Sequence, residues 1–400
     1  MEQIKKLLDP SLSNGTNLTI QYYKLGKNEI ILLAEVLKNN NHLELLNLTD
    51  NTIRDNNSKY FFQSLKMNNT LKRLDIIKNK INDENMKFLI EFLETNLSLR
   101  TLCLWNNDIS TDGLRYLIDA LKKNYTITTL YLCANHINDE AVHQLVEVLK
   151  INPSLKILHL EYNNISKTGA QYLAKMVKIN GIIERIYLWG NQIGDDGAKQ
   201  LAEVLKTNNS LIALSVGNNQ ISSIGIQSLF EALKINTTLK ILCLEYNAIG
   251  DKGAKYLAKA LKMNASLVLL QLGNTLISNE GVKYLASSFE KNKTVKTIHL
   301  GGNIIDDKGA QYLDDALKIN TTITQLSTFC TRISSEMTNK INNKLNTNQI
   351  NQKRLGCLQL LCLEKINQCD KVNEIKTLIP TIYTSCMDKY NENQEIIAYI

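Results

Sequence analysis

The chain repeats itself every 28 residues. Leu43, Leu46, Leu48, Asn51 and Ile53 recur 28 positions on as Leu71, Leu74, Ile76, Asn79 and Ile81, and again as Leu99, Leu102, Leu104, Asn107 and Ile109. The series runs without insertion through Leu239, Leu242, Leu244, Asn247 and Ile249, and stays readable at Val295, Ile298, Leu300, Asn303 and Ile305. A worn unit follows from Ile323, with Thr328 and Thr331 in place of Leu and Asn. A degenerate one precedes, marked by Leu18, Ile20, Tyr23 and Leu25. A fixed period of this length excludes one central core. Each unit must bury its apolar face against its neighbours.

The second half of each unit has helical periodicity. Leu257 and Leu261 are four apart and share a helix face, as do Leu117 with Leu121, Leu145 with Leu149, Leu201 with Leu205, and Leu313 with Leu317. Before the helices stand residues of N-cap type: Asp55, Asp83, Thr111, Asp139, Asp195, Ser223, Asp251, Asn279, Asp307 and Ser335. After each helix comes an asparagine, from Asn40 and Asn68 to Asn320 and Asn348, a residue that tolerates the left-handed conformation ending a helix. The asparagine after each strand has both donor and acceptor to satisfy a buried turn. Each unit is therefore a short strand, a turn, a helix and a return. The expected fold is an α/β solenoid of about eleven parallel strands with matching helices.

The L-x-x-L-x-L-x-x-N-x-I core, followed by a D-x-G-A-x-x-L-A-x-x-L helix, resembles the leucine-rich repeat family, in its ribonuclease-inhibitor-like subclass. That subclass includes the ribonuclease inhibitor, the sensor half of NOD-like receptors and Ran GTPase-activating protein. The resemblance implies a horseshoe with a parallel sheet on the concave face and helices on the convex face. Ribonuclease inhibitors carry Trp or Glu after the second strand Leu, and Leu104-Trp105, Leu188-Trp189, Leu160-Glu161 and Leu244-Glu245 match that. They also alternate Cys with Asn at the turn, whereas this chain keeps Asn apart from Thr275 and the worn last unit. Ribonuclease specificity is therefore not implied.

Three regions follow: residues 1–27, a capping segment with the degenerate repeat; residues 28–350, the repeats; and residues 351–400, a helical cap interrupted at Pro380. The net charge of +7 lies outside that tail, whose six basic and six acidic residues balance. Lysines near the helix ends (Lys38, Lys66, Lys122, Lys150, Lys178, Lys206, Lys234, Lys262 and Lys318) suit the helix dipole and lack interleaved aromatics, so no nucleic acid is expected. There is no run of 18 apolar residues, and no apolar core follows Lys5 and Lys6. Neither a membrane span nor a secretory leader is expected, and the chain reads as a cytoplasmic monomer.

Chemistry is sparse. Of the eight cysteines, Cys103, Cys133, Cys243 and Cys330 lie in or beside strands, and Cys357, Cys362, Cys369 and Cys386 lie in the tail. No C-x-x-C pair occurs, so free thiols are expected, with neither metal nor cofactor. Phosphate-loop, nucleophile-elbow and zinc-protease motifs are missing, so no enzyme is expected. Cys103 and His159 share a column but stand two rungs apart, roughly 9–10 Å at strand spacing, too far for a nucleophilic pair.

With Leu46 and Leu48 inward, alternation sends the intervening and following residues to the concave side. These are Cys103, Trp105 and Asn106; Tyr131 and Cys133; His159, Glu161 and Tyr162; Tyr187 and Trp189; Ser215 and Asn218; then Cys243, Glu245 and Tyr246. Trp and Tyr carry interface energy, and Gly273, Gly301 and Gly302 offer little beyond. The expected function is a non-enzymatic scaffold binding a partner protein through Trp105, Tyr131, His159, Glu161, Tyr162, Tyr187, Trp189, Glu245 and Tyr246. The alternatives are a GTPase-activating regulator of the Ran type, a sensor module of an NOD-like system, or a secreted effector of an intracellular bacterium. The last fits the abundance of Asn, Lys and Ile.

Overall fold

The computed structural model describes residues 16–54 and 56–367, with residues 354–367 as backbone only. Asp55, most of the N-terminal capping segment, and the tail from position 368 with Pro380, Cys369 and Cys386 lie outside the described residues, as do the side chains of Cys357 and Cys362.

Among the described residues, twelve strands form one sheet, each parallel to the next in chain order, from Asn17–Thr19 to Gln325–Ser327. This is one more than the sequence suggested, because the degenerate segment at Leu18 pairs with Leu45–Asn47. The register advances by one period at each rung: Leu18 faces Leu46, Leu102 faces Leu130, and Ile298 faces Leu326. Parallel neighbours need a crossover, which the helix of each unit supplies. Strands sit about 4.8 Å apart, whereas a helix with its side chains is about 10 Å across. The helical layer must therefore fan out, leaving the sheet on the inside of the curve. Between the layers Leu130, Leu132, Ile137, Leu145 and Leu149 of one unit are fully buried.

Two ladders of asparagine hold the ends of the strands. Asn79 Nδ2 donates to the carbonyls of Leu48 and Ile77 (2.8 and 2.9 Å), while its Oδ1 accepts from the N–H groups of Asn51 and Ile53 (both 3.1 Å). Asn107, Asn135, Asn163, Asn191, Asn219 and Asn247 reach back to the preceding unit in the same way. At the other end, Asn124 Nδ2 donates to Leu93 and Asn96 carbonyls (2.7 and 3.2 Å), and its Oδ1 accepts from Thr126 and Ile127 (both 3.0 Å). This corrects the reading of that column as left-handed helix ends. Asn40, Asn96, Asn180 and Asn320 are extended, with φ between −78° and −81°, and their work is done by the side-chain amide. The left-handed position falls just before the turn asparagine, at Lys78, Asn106, Ala134, Tyr162, Gly190, Asn218, Tyr246, Asn274 and Gly302 among others.

The helix starts also differ by one or two residues from the sequence reading. Asn82, Ser110, Asn138, Ser166, Ser222, Ser278 and Asp306 cap their helices by accepting from backbone N–H groups. Asp83, Asp139, Asp195 and Asp251 are instead the first or second helical residue, and each reaches the next unit. Asp195 accepts from Ser222 N (2.7 Å), Ser222 Oγ (2.6 Å) and Gly225 N (3.1 Å). Asp83 with Ser110, Asp139 with Ser166, and Asp251 with Ser278 repeat this pairing.

The last described helix, Ser335–Asn367, runs through position 351 without a break. It lies against the end of the array. Asn348 and Gln349 donate to the exposed-edge carbonyls of Asn320, Ile323 and Thr324. Fully buried Asp314 receives Lys344 from this helix, with Lys340 and Lys318 at 3.4 and 3.7 Å.

Candidate partner-binding face of the sheet

Alternation along three-residue strands puts the residues flanking each core leucine on the inner face. The rows run straight across the rungs. Beyond the strands, register is kept by Asn106 N donating to Cys133 O (2.9 Å), Ala134 N to Glu161 O (2.8 Å) and Tyr162 N to Trp189 O (2.8 Å). One row therefore reads Trp105, Cys133, Glu161, Trp189, Gly217, Glu245.

Not every residue assigned to this face is open to solvent. Cys103, Cys133, Cys243 and Ser215 are only 2%, 6%, 8% and 6% exposed. Their short side chains sink between larger neighbours on adjacent rungs. Burial pushes the Cys103 thiol up to about 12 and raises those of Cys133 and Cys243 as well. Thiols so held are neutral at pH 7 and poor nucleophiles.

The strand ends form a polar, stacked floor. The His159 ring lies between Tyr131 (4.0 Å between centroids, 14° interplanar) and Tyr187 (4.2 Å, 5°). Its Nδ1 lies 2.9 Å from Glu161 Oε1, and Cys133 Sγ donates to Glu161 Oε2 at 2.8 Å. Burial raises the Tyr131 and Tyr187 hydroxyls. Arg73, clamped by both oxygens of Asp75 at 3.0 Å, sits 5.8 Å from the Tyr131 ring centre. The sequence reading placed Tyr131, Cys133, His159, Glu161 and Tyr187 on one face, but it did not assign Arg73 or Asp75 and missed the Cys133–Glu161–His159 linkage. Its signal was available: Cys133 and Glu161 are one period apart, hence on adjacent rungs.

Above this floor stand exposed Tyr162, Tyr246 and Trp105, with Trp189 half-buried among them. Trp189 lies across Gly217, where any Cβ would collide with the indole ring. Tyr162 packs on Trp189 at 4.7 Å and 52°, and Tyr246 meets it edge-on at 5.8 Å and 81°. Tyr162 and Tyr246 are 53% and 56% exposed, and both hold the left-handed backbone (φ 54° and 56°) that Gly190 and Asn218 take at the two rungs between them. Trp105 opens the row and is 44% exposed. Glu245 is half-buried. Its Oε2 has no hydrogen-bond partner, and burial raises its carboxyl.

The lysines of the helical rim are partly neutralised. Lys122, Lys150, Lys206 and Lys234 pair with Asp119, Glu147, Glu203 and Glu231 at 2.5–2.7 Å. Among the described residues no helix is long and apolar enough to cross a membrane.

Comparison with known proteins agrees with the architecture. A family model described as Leucine Rich repeat matches residues 68–89, 152–174, 184–202, 207–230, 236–258 and 291–313. Among solved structures, a chain of the Rad7 and Elc1 complex in yeast aligns over 84% of this chain and 84% of its own, at 16% identity and a TM-score of 0.54. An internalin from Listeria monocytogenes aligns over 81% of this chain and 93% of its own, at 20% identity and a TM-score of 0.45. The actin-binding site 2 of Leiomodin-1 covers 42% of this chain and 96% of its own, at 22% identity and a TM-score of 0.38. No curated protein matches the chain. These likenesses are of fold alone. Parallel rungs at one constant register, each returned by a helix, together with the matched repeat segments, give this chain the fold of a repeat solenoid like that of leucine-rich repeat proteins.

Proposed function

We propose that this protein is a non-enzymatic scaffold, a monomer of the cytoplasm, that holds a partner protein on the concave face of its sheet. The observation that carries this reading is the aromatic cluster in which exposed Tyr162 and Tyr246 pack on half-buried Trp189. A protein surface seldom leaves such rings open together unless they are used. Tyr131, His159, Glu161 and Tyr187 form the floor beside them, with Trp105 and Glu245 at the margins. The ribonuclease-inhibitor-like subclass is our reading of the 28-residue period and of Trp or Glu after the second strand leucine.

Quantitative affinity capture with mass spectrometry tests this, using the full chain and two variants. Trp189→Ala combined with Tyr246→Ala should weaken capture of the specific partner by about 30-fold or more, the equivalent of about 2 kcal/mol. Lys150→Ala combined with Lys206→Ala should leave capture within about threefold, as expected for exposed ion pairs. The reverse pattern would move the interface to the helical rim and reduce the aromatic cluster to sheet packing.

A further inference from the structure

The geometry points to a binding site for one zinc-type divalent ion, formed by Cys133, His159 and Glu161 on the concave face. Cys133 Sγ, a ring nitrogen of His159 and a carboxylate oxygen of Glu161 all lie within 4.8 Å of one another. A tetrahedral zinc site has bonds of about 2.3 Å to sulfur and about 2.0–2.2 Å to nitrogen and oxygen. Its ligand atoms are thus roughly 3.3–3.7 Å apart, within reach of rotations of these side chains about a fixed backbone.

That backbone is well held. Cys133 and Glu161 occupy adjacent rungs joined by Ala134 N donating to Glu161 O (2.8 Å), and His159 lies two residues before Glu161 on the same strand. The imidazole plane is fixed by Tyr131 and Tyr187 stacked on its two faces. The hydrogen bonds at 2.8 and 2.9 Å already gather the sulfur and nitrogen around one carboxylate. This is the positioning a ligand set needs before the ion arrives.

The donor set selects the ion. Sulfur with imidazole and one carboxylate suits zinc and its borderline-soft neighbours, whereas calcium and magnesium want oxygen throughout. Binding breaks the Cys133 S–H bond and forms an S–metal bond, with the proton passing to solvent. One thiolate and one carboxylate then balance the two positive charges. Cys133 is buried while His159 and Glu161 are half-buried, so the site lies at the solvent margin of the face. Three protein ligands and an open position describe a site that takes water or an outside donor atom. The inference does not depend on the partner reading, because the metal alone is the probe.

Cobalt(II) titration of the full chain, with zinc as competitor, tests the site. One equivalent should produce a thiolate-to-cobalt charge-transfer band that zinc abolishes. It should also quench the two tryptophans, Trp105 and Trp189, which flank Cys133 and Glu161 in the row. Cys133→Ser should remove the band. Glu161→Gln keeps an acceptor for the thiol, and with it the fold, but should weaken binding by at least about 30-fold. Cys243→Ser, three rungs or more away, should bind as the parent does. Circular dichroism establishes that each variant is folded. Absence of a band in the parent chain would overturn the site and leave the triad a hydrogen-bonded floor. A band and quenching that survive both Cys133→Ser and Glu161→Gln would also overturn it, by placing the ion at other thiols.

Discussion

A single asparagine in this fold serves five backbone groups. Asn107 accepts from the N–H groups of Asn79 and Ile81 and donates to the carbonyls of Ile76, Leu104 and Trp105. Asn107→Ala would strand several buried groups, at about 1–3 kcal/mol each if unrelieved. Partial relaxation leaves an expected loss of about 3 kcal/mol, read from the denaturant midpoint; a loss under about 1 kcal/mol would mean that water replaces the amide. Thr275 shows a gentler substitution, since its hydroxyl still donates to Leu272 O at 2.7 Å. The structural role of this column was legible in the sequence, because an amide supplies both donor and acceptor to a buried turn. The role of the second column was not. Asn at a helix end fits both a left-handed cap and an extended side-chain cap, and the groups it serves lie a full period away. Glu245 carries a pH signature. Burial raises its carboxyl, so the folded chain keeps that proton to higher pH than the unfolded chain does. Its contribution is then fully favourable below the ordinary pKa of about 4.3 and is lost as pH rises through the folded value. Glu245→Gln should therefore raise the thermal midpoint at neutral pH, with the gain shrinking toward about pH 4. Equal gains at both pH values would assign the effect to packing.

Helices and strands were placed in the sequence by period, and their order and parallel register follow from it. Their starts were off by one residue where two cap-type residues stand side by side. Ser222 and Ser223 are both plausible caps by type, and the choice is made by Asp195 one unit earlier. Ser222 caps its own helix through Ile224 N and also ties that helix to the preceding one. Ser222→Ala should cost about 1–2 kcal/mol, the value of a cap plus a charge-assisted bond. Ser223→Ala, one residue along, should cost a few tenths at most, as measured by urea unfolding of the two variants. Comparable losses would return the cap to position 223. The site shows the same limit of sequence reading. Parity put Cys103, Cys133, Ser215 and Cys243 on the inner face, but their burial depends on what stands one rung away.

The molecule as a whole is a stack in which each unit touches only its neighbours, so its stability is local. Its C-terminal end is secured by buried Asp314 and the lysines around it. Lys344→Met should leave that carboxylate under-compensated and cost about 2 kcal/mol, less than complete loss of a buried pair because Lys340 remains. The damage should be confined. Amide exchange should quicken across residues 307–349 and stay unchanged for the strands from Thr101–Cys103 to Ile241–Cys243. Uniform acceleration would mean that the array melts as one unit. The aspartate–serine junctions bear on how such a chain could lengthen. From Asp83 onward, Asp83, Asp139, Asp195, Asp251 and Asp307 recur every 56 residues, as do Ser110, Ser166, Ser222, Ser278 and Ser334, so over that stretch helix starts alternate between two kinds. Loss or duplication of a single repeat would set two starts of one kind together, leaving a carboxylate without its hydroxyl donor or a hydroxyl without its carboxylate. Loss or duplication of a pair leaves every junction matched. The heritable unit of growth is then two repeats, and descendants of this array should differ in length by whole pairs.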